Sequence, residues 1–255
     1  MTWYGRHFSY HGACDLVLVH NPAFALGKGL DLHVRTAHML NGAYSFVSNA
    51  ALRIGDDVLE VASDGSYFIN GMNNVDLPTM VGGFAVSESS EQVCKGKEGD
   101  KCSQVITFSV SLMDNDNIRI RVASNMIHVD VKGSDKSFNG SSGLMGTYPS
   151  EHHGKIARDG QTYLSDPNIF AQEWQVLSHE PKLFHESRYP QHPQLCIPAV
   201  QPSNVERRLQ GNDDEARLLA EEACAHVEGP EWEFCIFDVM ATGDYGMAAT
   251  IYGSN

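Results

Sequence analysis

Ile118-Arg119-Ile120-Arg121-Val122 and Ile127-His128-Val129-Asp130-Val131-Lys132 alternate apolar and polar residues without a break. Successive side chains of a strand point to opposite faces, so each run gathers its aliphatic residues on one side and its polar residues on the other. That is the pattern of a half-buried antiparallel strand. Leu30-Asp31-Leu32-His33-Val34-Arg35 repeats it, and Asp15-Leu16-Val17-Leu18-Val19-His20 is a compact aliphatic run. Turn signals lie between such runs at Asn41-Gly42, Asp64-Gly65, Asn70-Gly71 and Asp114-Asn115-Asp116-Asn117. Short strands at this spacing, with no helical pattern between them, predict a mainly β chain whose residues 10–135 form an antiparallel β-sandwich.

Beyond the strands the pattern changes. Ser134 to Gly146 is rich in Gly and Ser, Arg158-Asp159-Gly160 reads as a turn, and Phe170 to Val176 reads as a short helix or strand with buried aromatics. Residues 197–212, with Pro198 and Pro202, read as a linker. After Asn212, a candidate N-cap with Glu215 three residues on, Ala216, Leu219, Ala220, Ala223, Cys224 and Val227 recur at helical spacing. Phe237, Val239 and Met240 continue an apolar pattern into a second helix. The expected organisation is a β domain over 1–196, the linker 197–212, and a small α-helical segment over 213–255.

Six cysteines punctuate the chain: Cys14, Cys94, Cys102, Cys196, Cys224 and Cys235. The count permits full pairing, leaves many connectivities open, and is compatible with six free thiols in a reducing compartment. Cys94 and Cys102 flank Lys95 to Lys101, a polar loop with nothing apolar to bury. A bridge closing so short a loop contributes about 2–3 kcal/mol on chain entropy. A Cys224–Cys235 bridge would staple two helices too short to bury much surface alone. No C-x-x-C and no zinc-finger spacing occurs.

The net charge of −14 leaves no basic face for nucleic acid. No apolar run approaches the roughly 20 residues that span a bilayer. The opening residues Met1 to His7 lack the apolar core of a signal peptide.

Phe8-Ser9-Tyr10-His11-Gly12-Ala13-Cys14-Asp15-Leu16-Val17-Leu18 resembles the opening of a von Willebrand factor type D domain, where an aromatic, a Gly and a Cys precede a strand. Further landmarks follow in order. Gly143-Leu144-Met145-Gly146 stands where the family has Gly-Leu-Cys-Gly, Asp159-Gly160 where it has a turn, and Phe170 to Trp174 where it has its Phe…Trp closure. Ala223-Cys224 through Cys235-Ile236-Phe237-Asp238 resembles the small C8-like cysteine-bearing helical segment that often follows. The resemblance implies that Cys14 pairs with Cys196, and that the chain works in an extracellular or cell-surface setting where disulfides persist. It also implies that Met1 falls just inside a domain, with any signal peptide upstream. Met145 replaces the family's cysteine, so no thiol-exchange chemistry carries over.

Calcium-binding members of that family place Asn and Asp after Gly-Leu-Cys-Gly, whereas this chain has Thr147-Tyr148-Pro149-Ser150-Glu151-His152-His153. Calcium needs several oxygen ligands, and in the loop over 147–166 the candidate metal ligands are Asp159 and Asp166. His152-His153 reads as a solvated pair, and Arg207-Arg208 as a solvated basic pair or a processing site. Gly140-Ser141-Ser142-Gly143 misses the Gly-x-Ser-x-Gly spacing of a nucleophile elbow. Asn139-Gly140-Ser141 is a glycosylation sequon, with Asn139 the acceptor. The expected function is a non-catalytic extracellular structural or adhesive module without a cofactor. Its partners would be other extracellular proteins, matrix, or neighbouring domains of a longer chain. A metal-binding domain and a hydrolase on a β-sandwich are the rival classes.

Overall fold

The computed structural model describes residues 2–5, 7–39, 44–73, 75–94, 102–149, 154–187, 196–199, 214–229 and 231–252. Two antiparallel sheets dominate it. The first comprises β1 (Asp15–Asn21), β2 (Leu30–Met39), β3 (Tyr44–Ile54), β4 (Asp57–Ala62), β5 (Tyr67–Ile69) and β6 (Met72–Asn73). The second comprises β7 (Thr79–Val81), β8 (Phe84–Cys94), β9 (Cys102–Ser111), β10 (Asn117–Ala123) and β11 (Met126–Lys132). In each sheet consecutive strands are neighbours, so both are meanders. The Asn70-Gly71 turn shows why: both residues have positive φ, +53° and +74°, as a two-residue hairpin requires.

The aliphatic halves of the alternating runs meet between the sheets, as the periodicity predicts. Leu30, Leu32, Leu52, Ile54 and Leu59 of the first sheet share one core with Phe108, Val110, Ile118 and Ile120 of the second, all fully buried. Fully burying each such side chain contributes about 1.5–3 kcal/mol. The polar halves do not all face water as the alternation implied. Asp31, His33 and Arg121 are at most 9 % exposed, because later segments of the chain lie over both outer faces.

One edge needs particular cover. β1 carries a bulge at Leu18, between the Val17–His33 and Val19–Leu32 pairs, and its outer edge would present unpaired N–H and C=O groups. Two distant segments fill it. Leu144 N–H donates to the Val17 carbonyl (3.0 Å), and His20 and Ser142 exchange backbone bonds at 2.7 and 2.9 Å. From the other side Val17 N–H donates to the Trp174 carbonyl (2.8 Å), and Val176 N–H to that of Asp15 (2.9 Å). Asn21, buried, donates to the Ser137 and Asn139 carbonyls and to Ser141 Oγ, and so fixes the turn that carries the sequon.

The segment left open between helix and strand is a helix, Pro167–Glu173. Asp166 caps it by accepting from Asn168 N–H (2.7 Å), and Pro167 occupies a first-turn position where no amide hydrogen is needed. Trp174 ends it, 3 % exposed, with Nε1 donating to the Ile156 carbonyl at 3.1 Å and Arg158 stacked on its ring.

Disulfides join Cys14 to Cys196 and Cys224 to Cys235, with Cα–Cα distances of 5.1 and 6.0 Å. The β8–β9 register sets Cys94 opposite Cys102; their side chains lie outside the described residues. So do the Asn41-Gly42 turn, His152-His153, Arg207-Arg208, Asn212 and linker residues 200–212. The C-terminal helices are Asp214–Ala223, Glu231–Thr242 and Met247–Ile251. Ala220, Cys224, Val227, Cys235, Ile236 and Val239 form their small core. Leu219, expected on the buried stripe, is 45 % exposed. It sits one position, about 100°, off the Ala220–Cys224 line. Met247 fastens the tail to the sandwich by packing on Val105, Ala123 and Met126.

Candidate functional site

The outward residues of β10 and β11 form a charged ladder. Register pairs Arg121 with His128 and Arg119 with Asp130, so four polar side chains stand together on the face opposite the core. Two segments cross this face. Residues 2–5 and 7–8 approach from one side, held by Trp3, whose amide donates to the Met145 carbonyl (2.9 Å) and whose ring packs on Phe138 and Tyr148. The Glu231–Thr242 helix approaches from the other, with Phe234 stacked on His7 at 5.3 Å. Between them lies a cavity of about 560 Å³, lined by Trp3, Arg119, His128, Asp130, Phe234 and Asp238 among others. A second, of about 220 Å³, continues past His128 and Asp238 toward Thr36. The larger volume falls in the range of small-molecule sites, about 300–1,000 Å³.

Electrostatics inside the cavity are set by burial. Arg121 Nε and Asp130 Oδ2 form an ion pair at 2.8 Å. Burial, with the Arg121 charge adding to it, depresses His128 to about 3, so its imidazole is neutral at physiological pH. Burial pushes Asp238 the other way, up to about 6, against the opposing hydrogen bond that Tyr252 donates over 2.6 Å. Tyr252 itself is held well above the ordinary phenol range by burial and by that carboxylate. Trp3 Nε1, Arg119 Nε and His128 Nε2 are buried without a hydrogen-bond partner among the described residues. Three buried polar atoms left without a partner on one cavity ask for a ligand or water.

The Asp238 shift has a measurable consequence. A carboxyl whose folded pKa (about 6) exceeds its unfolded value of 3.8 stabilises the fold below pH 4, and that contribution is lost as pH rises through 6. Asp238→Asn keeps an acceptor for Tyr252 and cannot ionise. It is expected to unfold about 2 kcal/mol harder than the parent at pH 8 and equally at pH 4, allowing for partial exposure. Urea denaturation of both proteins at the two pH values checks this; equal gaps would place the titration elsewhere.

The carboxylates expected as metal ligands stand apart from this cavity and cap local structure. The Thr162 hydroxyl, followed by the Thr162 and Gln161 amides at 2.8 Å each, donates to Asp159 and holds its carboxyl below the usual range. Asp166 caps the Pro167–Glu173 helix. Among the described residues no group of three His, Cys, Asp or Glu side chains is placed to hold a metal ion. Asn139 is exposed, as an acceptor side chain must be, while Ser141 is buried.

A second polar cluster lies on the first sheet. His20 Nδ1 meets Asp31 at 2.5 Å, and Arg53 binds the other oxygen of that carboxylate. Burial alone would raise Asp31; the His20 and Arg53 hydrogen bonds outweigh it and hold the group low. The Asp–His contact has the form of a base and its orienting carboxylate. Neither cavity described above is lined by His20, Asp31 or Ser142, and Arg53 compensates the charge that would support an imidazolium.

The cavity residues escaped the sequence reading because they come from three remote segments. One signal was present: Asp238, a lone acid inside the apolar run Cys235-Ile236-Phe237-Asp238-Val239-Met240. Neither a scan against protein-family models nor a search of curated proteins finds a match for the chain.

Proposed function

We propose that the chain is an extracellular structural or adhesive module of the von Willebrand factor type D kind, followed by its C8-like helical segment, and that it works by contact without catalysis. The observation that carries this reading is the Cys14–Cys196 bridge, spanning 182 residues. It joins the two cysteines that the resemblance pairs. The other landmarks support the same reading by their mutual placement. Gly143-Leu144-Met145 and Trp174 lie side by side along β1, directly after Cys14, as parts of one closure. A second disulfide holds the helical segment, which has a core of its own. Disulfides of this kind persist in oxidising compartments, which favours a secreted or cell-surface protein. No helix among the described residues is long and apolar enough to cross a membrane. Partners would then be other extracellular proteins, matrix or adjoining domains, met through the exposed surface that includes Asn139.

Peptide mapping under non-reducing conditions, on protein released by its native host, tests the proposal. Cys14–Cys196 and Cys224–Cys235 peptides are expected, with Asn139 carrying glycan. Six alkylatable thiols in such material would overturn it.

A further inference from the structure

We infer that the cavity between Trp3, the β10–β11 ladder and the Glu231–Thr242 helix binds an acidic sugar unit, a pyranose ring bearing one carboxylate. This deepens the adhesive reading by naming the ligand class its surface would take.

The chemistry of the lining selects the class. Trp3 Nε1–H and Arg119 Nε–H are buried donors without partners among the described residues, and the neutral His128 leaves Nε2 unpartnered as well. Acceptor oxygens of a ligand would satisfy the two N–H donors of this wall, and His128 Nε2 can accept or donate according to its tautomer. Arg119 can hold a carboxylate with a charge-assisted bond, the stronger kind. The same cavity is lined by Asp130, Glu231 and Asp238. These acids offset Arg119, Arg121 and Lys132 on the same lining, so no excess of positive charge remains for a phosphate dianion. They suit hydroxyl groups, which donate to carboxylates while accepting from the opposite wall. Trp3, Phe8, Phe234 and Tyr252 add apolar surface for the C–H face of a ring. One negative charge, several hydroxyls and a flat apolar face together describe a uronic or sialic acid. The volume of about 560 Å³ accommodates a small ligand of this size class.

Titrating the full chain with free glucuronic acid, N-acetylneuraminic acid and glucose, followed by calorimetry or ligand-observed NMR, tests the inference. Saturable millimolar binding of either acid is expected, with glucose at least tenfold weaker. Trp3→Phe retains the ring and removes the donor; Arg119→Gln removes the charge. Each is expected to weaken the acid about tenfold, and Arg119→Gln, which leaves the Trp3 packing on Phe138 and Tyr148 intact, to do so with the thermal melt unchanged. A panel of immobilised sialylated glycans and uronate polymers then identifies which source carries the sugar. Equal binding of glucose, no binding of either acid, or binding indifferent to both variants would each overturn the inference. Disulfide mapping is a separate measurement, so failure of the cavity and failure of the extracellular reading are told apart.

Discussion

Replacing Cys14 and Cys196 together by alanine is expected to lower the stability of the sandwich by about 4 kcal/mol. The bridge spans 182 residues, and chain entropy puts the loss of so long a closure at about 5 kcal/mol, an upper figure against measured losses of about 2–5 for native disulfides. The effect extends beyond entropy in the unfolded chain. Cys14 immediately precedes β1, its amide donates to Thr36 Oγ1 at 2.9 Å, and the adjoining Ala13–Ile197 backbone pairing brings the 196–199 segment onto the sheet. Without the link, that segment has little to hold it. Urea denaturation followed by tryptophan fluorescence measures the loss, since Trp174 sits in the same closure. The Cys224→Ala, Cys235→Ala variant is the comparison: its bridge spans 11 residues, worth about 3 kcal/mol, and holds the small helical core. It is expected to melt the helices while leaving the Trp174 transition in place. If the Cys14/Cys196 variant unfolds at the parent's urea midpoint, the closure does not depend on this bridge.

Gly143→Ala is expected to be nearly as damaging, at about 3 kcal/mol. Gly143 has φ of +143°, a conformation that residues with a side chain rarely adopt, and an added Cβ would lie 2.4 Å from the Leu18 carbonyl oxygen. That oxygen belongs to the bulge of β1 and cannot withdraw without disturbing the pairing with β2. The cost is thus the sum of backbone strain and a steric overlap with main chain. Gly160→Ala supplies the control. Its φ is +73° with nothing within 4 Å of the new methyl, so strain alone acts and about 1 kcal/mol is expected. Thermal or urea unfolding of the two variants isolates the contribution of close approach as their difference. Equal losses would mean that Gly143 is needed only for its dihedral angle.

The Gly143 landmark illustrates how far the residues alone could be read. Its place in Gly-Leu-Met-Gly marks a turn, but the reason for glycine is a strand more than a hundred residues earlier, which approaches too closely for a methyl group. Asp159 and Asp166 show the opposite case. Their carboxylates in a loop suggested metal ligation, whereas short-range bonds to amides two and three residues onward engage them. Asp and Asn cap turns so readily that local backbone accounts for most such side chains.

Neighbouring residues alone mark the runs that become β1, β2, β10 and β11, the Asp64-Gly65 and Asn70-Gly71 turns, and the helical tail. Period-two alternation fixes which residues face the core, and a Gly or Asn at positive φ fixes where a hairpin reverses; both are properties of neighbours in the chain. What lies over the outer faces is set by long-range packing. Phe184 under Arg35, His185 bonded through its amide to Glu60, and the helix bearing Asp238 across His128 come from segments more than a hundred residues away. Alternation marks the polar side of a strand and is silent on its cover, because cover is a matter of long-range packing. The cavity exists for that reason: three segments, each unremarkable alone, enclose polar groups that none of them could shelter singly.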